Sequence, residues 1–167
     1  MSLNDPKWII SRTIELLRHL PRLSGLHLIM DEALEEFNHL ANCCSKLPSL
    51  RELGLRFYHS FPKEDFLDKL WGRNFNLPRI NVAGKIIAAN PNLTRLEMTH
   101  SLRVVKNIDL TQMLAYVPAN YPLKLEHIYL SHSFRNLAAL APHIRSLTSI
   151  GLADSHILNE LLRQACN

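Results

Sequence analysis

The chain has 167 residues, 47% of them hydrophobic and 20% charged, so one domain covering residues 1–167 with a continuous core is expected. A net charge of +4, spread along the chain with no concentrated basic stripe, argues against nucleic-acid binding. There is no apolar run long enough for a membrane span and no basic-then-apolar leader after Met1. With only Cys43, Cys44 and Cys166 there is no disulfide framework, so a reduced protein of the cytoplasm or nucleus is expected.

Residues 5–19 open with Asp5-Pro6, a helix cap followed by proline at the first helical position, and Ile10, Ile14 and Leu17 recur at helical spacing. Pro21 stops that helix, and a strand follows at Leu23–Leu28. Asp31 is expected to open a second helix running to about Lys46, with Leu34, Phe37, Leu40 and Ala41 on one face; Pro48 breaks it before a second strand. A third helix is expected at roughly Pro62–Trp71, with a loop at Gly72-Arg73-Asn74, an irregular strand near 78–82 and a short helix near 84–90. Beyond the strand at Leu93–Met98, residues Ile108, Leu110, Met113, Leu114 and Val117 read as a short helix. Phe134–Leu140 reads as another, ended by Pro142, and Ile157, Leu158, Leu161 and Leu162 mark a last one.

The strands share a frame. Leu50-Arg51-Glu52-Leu53-Gly54-Leu55 reads leucine, two variable residues, leucine, one variable residue, leucine. The same spacing recurs at Leu23, Leu26 and Leu28, at Leu93, Leu96 and Met98, at Leu125, Ile128 and Leu130, and at Leu147, Ile150 and Leu152. First leucines are separated by 27, 43, 32 and 22 residues, and the 43-residue gap marks an inserted or irregular segment at about 61–90.

This frame is identified as that of leucine-rich repeats, and true helices between strands with irregular lengths resemble the ribonuclease-inhibitor-like class. The fold expected is α/β: a solenoid of about five to six irregular repeats, with a short curved parallel sheet on the concave side and helices on the convex side. No unit buries its apolar face alone, so stacking is what makes the core.

Alternate strand residues point to opposite faces, so those between the frame leucines should face the concave surface. They are Gly25, His27 and Ile29; Glu52, Gly54 and Arg56; Arg95, Glu97 and Thr99; His127, Tyr129 and Ser131; and Ser149, Gly151 and Ala153. His27, Glu52, Arg56, Arg95, Glu97, His127 and Tyr129 are the candidate partner-binding residues. Arg56, Arg95 and Tyr129 lead, because arginine and tyrosine combine large contact area with directed hydrogen bonds.

A polar residue three places after the frame (Asp31, Ser101, Ser133, Ser155) is read as a partner for loop backbone. His59, His100 and His132 lack cysteine or carboxylate partners at ligand spacing, so no metal site is expected. Cys43-Cys44 reads as packing. No glycine-rich phosphate loop, HExxH or GxSxG occurs, and with five glycines in all, no cofactor and no enzymatic activity are expected.

Asn90-Pro91-Asn92-Leu93-Thr94-Arg95-Leu96 resembles the repeat regions of F-box proteins, the fungal ones especially. That resemblance implies a substrate receptor of a ubiquitin ligase, in which the repeats hold a partner protein and a separate F-box docks on the Skp-type adaptor of an SCF complex. No Leu-Pro-x-Glu-Ile opening precedes the repeats, so ligase recruitment would need an F-box outside this sequence. The expected function is protein–protein recognition on the concave face. The alternatives are a repeat scaffold or an inhibitor-type protein of a regulatory or immune pathway.

Overall fold

A computed structural model describes residues 6–31, 37–44, 47–58, 78–100, 108–131 and 134–153. In chain order the elements are α1 (Pro6–Arg18), β1 (Gly25–Asp31), α2 (Phe37–Cys44), β2 (Glu52–Tyr58), α3 (Pro78–Ala88) and β3 (Arg95–His100). Then come β4 (Ile108–Asp109), α4 (Leu110–Leu114), β5 (His127–Leu130), β6 (Phe134–Arg135), a 3-10 helix (Leu137–His143) and β7 (Ser149–Leu152).

The protein is α/β, with a five-stranded parallel sheet in the order β1-β2-β3-β5-β7, so each of these strands lies beside its neighbour in sequence. β4 and β6 form a separate parallel pair. In the main sheet Leu26, Leu53, Leu96, Ile128 and Ile150 stand side by side, and Leu28, Leu55, Met98, Leu130 and Leu152 make the next row. The arrangement is compatible with a solenoid.

Entry into the strands repeats in its hydrogen bonding. The N–H of Leu23, Leu50, Leu93 and Leu147 each donates to the carbonyl three residues earlier, that of Leu20, Leu47, Asn90 and Ile144. In the first three of these turns the second position is Pro21, Pro48 or Pro91, whose fixed φ suits a β-turn there. Immediately afterwards one carbonyl accepts two N–H groups from the next layer. Ser24 takes Arg51 and Glu52, Arg51 takes Thr94 and Arg95, Thr94 takes Glu126 and His127, and Glu126 takes Thr148 and Ser149.

The core lies between the sheet and the helices. Leu53, Leu55, Phe57, Leu96, Met98, Ile128 and Leu130 from the strands meet Leu40 and Cys44 of α2, Ile86 and Ile87 of α3, and Met113 of α4, all nearly inaccessible to water. At the sheet's edges the same frame positions are less covered: Leu26 is half-buried and Ile150 is 44% exposed. No helix among the described residues is long and apolar enough to cross a membrane.

Several expected boundaries are corrected. Asp31 does not open a helix: it ends β1, paired with Tyr58, because the parallel ladder runs on past the frame residues. Residues 78–88 are one helix, not a strand and a short helix. Val82, Ala83, Ile86 and Ile87 form its buried stripe, and Pro78 sits in its first turn, where the missing N–H costs nothing. Ile108 belongs to β4, ahead of the helix it was expected to join, and Phe134-Arg135 pairs with Ile108-Asp109 as a strand. Asn136, at φ 59°, then turns the chain into the 3-10 helix, which contains Pro142 instead of stopping before it. The helices expected at Pro62–Trp71 and from Ile157 onward, and the loop at Gly72-Arg73-Asn74, lie outside the described residues.

Candidate recognition face

Strand alternation turns the residues between the frame leucines away from the core, and the register arranges the face they form in rows. Across β1, β2, β3, β5 and β7 the first row is Gly25, Glu52, Arg95, His127 and Ser149, and the second is His27, Gly54, Glu97, Tyr129 and Gly151. Ile29, Arg56 and Thr99 start a third. His27, Glu52, Arg56, Arg95, His127 and Tyr129 are exposed, and Glu97 is half-buried. All seven candidate residues therefore share a face.

Two glycines shape this surface. A Cβ on Gly54 would collide with the imidazole of His27, which lies across it, and a Cβ on Gly151 would stand 2.5 Å from Cδ2 of Tyr129. In each case a large side chain leans over a neighbouring strand that has none. Beside this packing is an open groove of about 450 Å³, lined by His27, Ile29, Gly54, Arg56, Glu97 and Thr99, with Ser131 at one side. Of the candidates, His27, Arg56 and Glu97 line the groove; Glu52, Arg95, His127 and Tyr129 stand on the same face beyond it.

The groove is mixed in character. No ion pair among the described residues involves Glu52, Arg56, Arg95 or Glu97; those present are Arg12–Glu15 and Arg135–Asp109. Ile29, an isoleucine 68% exposed, supplies an apolar wall. Its weight in the groove was not anticipated, although an apolar residue in an otherwise polar alternation was the available signal. Ser131 borders the groove from just beyond β5, is only 7% exposed, and donates its N–H to the carbonyl of Met98 at 3.0 Å.

The remaining sequence candidates resolve differently. Cys43 and Cys44 are both buried free thiols on α2, and Cys43 Sγ approaches the carbonyl of Ile14 at 3.6 Å. Burial, with Cys43 beside it adding to the effect, pushes the Cys44 thiol up to about 12, which keeps it protonated and unreactive. Among the described residues no group of three or more His, Cys, Asp or Glu is placed to hold a metal ion. His59, His132, Ser101, Ser133 and Ser155 lie outside the described residues.

No family model matches the sequence, and no curated protein or solved structure shows a significant match to it.

Proposed function

We propose that this chain is a leucine-rich-repeat recognition module that binds a partner protein on the open face of its sheet. The observation that carries the reading is the register. Five copies of one leucine frame, unequally spaced in sequence, stand side by side in a single parallel sheet. Repeated entry turns and shared carbonyl acceptors support it further. Such stacking turns the residues between the leucines into one contiguous surface, here rich in Arg, Glu, His and Tyr.

On this reading the module works by contact, without catalysis or cofactor, and the resemblance to F-box repeat proteins favours a substrate-receptor role in ubiquitin ligation. The test is retrieval of partners from cell lysate by the native chain and by the triple variant Arg56→Glu, Arg95→Glu, Tyr129→Ala, with circular dichroism confirming that both are folded. A protein retained by the native chain and lost by the variant supports the open face, and its identity tests the link to ubiquitin. Equal retrieval by both chains would overturn the assignment.

A further inference from the structure

The groove on the open face carries its charges in a definite order. Arg56 on β2 stands beside Thr99 on β3, while Glu97, two residues before Thr99, stands beside Gly54. Both charged side chains line the same groove, and among the described residues they form no ion pair. Strand spacing of about 4.8 Å and a rise of about 3.3 Å per residue put the two backbone positions about 8 Å apart, about 6.6 Å of it along the strands.

That displacement along the strands is the repeat of an extended chain, in which residues i and i+2 project from the same side. The imidazole of His27 lies over Gly54, so the groove that holds the two charges is bordered there by a ring and by no side chain of β2 itself. We infer that the groove binds an extended segment of a protein partner, aligned with β2 and β3. This segment sets a carboxylate on Arg56 and an ammonium or guanidinium group on Glu97, the two residues separated by one. Nucleic acid fits poorly, since its phosphates would meet Glu97 and the neighbouring Glu52. The inference rests on the recognition-module reading and adds the chemistry of the partner.

The probe is a random dodecapeptide library displayed on phage and selected on the immobilised chain, followed by fluorescence anisotropy on synthetic copies of the enriched peptides. The enriched peptides should hold an acidic and a basic residue one position apart. Arg56→Glu should weaken binding about tenfold, and changing the peptide's acid to lysine should restore it; Glu97→Lys should be rescued by changing the peptide's base to glutamate. Enriched peptides without the pair, affinities unchanged by either reversal, or no enrichment at all would each overturn the inference. Partner loss in the open-face triple variant would still stand as a separate result, so failure here is distinguishable from failure of the module reading.

Discussion

The N–H of Leu123 donates to Nδ1 of His143 at 3.1 Å, and the N–H of Leu125 donates to the His143 carbonyl, also at 3.1 Å. One residue from a later layer thus satisfies two donors at the entry to β5. In residues 122–125 proline stands first and not second, and the N–H of Leu125 bonds to His143, 18 residues downstream, where Leu23, Leu50 and Leu93 bond back three residues.

Accepting at Nδ1 requires that nitrogen to be unprotonated, and burial lowers the affinity of His143 for a proton. Its folded pKa thus lies below the unfolded value of about 6.5. Between the two values the unfolded chain binds the proton and the folded chain does not. Stability is therefore lost as pH falls from about 6.5 and levels off once pH passes the folded value. Urea unfolding at a series of pH values should show this loss in the native chain. His143→Asn, whose Oδ1 accepts without titrating, should remove this residue's share of it, while His143→Ala should cost about 1–3 kcal/mol by stranding a buried donor.

Gly84 of α3 lies against the carbonyl of Met113 and the ring of Tyr116, so closely that a Cβ would overlap the backbone oxygen. Alanine is a better helix former than glycine by about 1 kcal/mol, but overpacking against backbone costs about 1–3 kcal/mol. Gly84→Ala is expected to lower stability on balance, by up to about 2 kcal/mol. Gly25→Ala is the internal control. Its Cβ would meet only Glu52, at 3.7 Å, so the denaturation midpoint should hold or rise.

Asp109 ties the small sheet to the helix that follows it. Its Oδ1 accepts from the N–H of Thr111 at 2.9 Å and from Nδ2 of Asn136 at 3.0 Å, with Arg135 3.5 Å from the other oxygen. Burial alone would raise its pKa, but the hydrogen bonds from Asn136 and Thr111 and the charge of Arg135 outweigh it and hold the carboxyl below the usual range. The stabilisation is present above about pH 4 and is lost as pH falls through the folded value. Asp109→Ala should cost about 1 kcal/mol as a lost helix cap. Asp109→Asn keeps an acceptor and gives up the charge pair with Arg135, whose guanidinium is largely exposed, so it should cost less than that. Thermal unfolding of the two variants separates the contributions.

The strand frame was legible because its causes are local. A turn that ends on a leucine, proline at its second position in three of four cases, and alternation within the strand are all written in the residues concerned. Residues 77–88 were not legible in the same way. Leu77, Ile80 and Val82 fit strand spacing while Val82, Ala83, Ile86 and Ile87 fit a helix, and short apolar runs remain ambiguous until packing decides. Asp31 carried a helix-capping residue type into a position held by the ladder with Tyr58. The rows of the open face followed from alternation. The groove did not, since it depends on His27 lying over a glycine of another strand, which is not a property of nearby sequence.

Strand order that follows chain order also decides how the sheet carries mechanical load. Within the five-stranded sheet, tension between β1 and β7 passes from each strand only to the next, as through links joined in series. Rupture can then advance from an outer strand inward, one row of backbone hydrogen bonds at a time, and each step lengthens the molecule by the unequal stretch of chain stored between that strand and its neighbour.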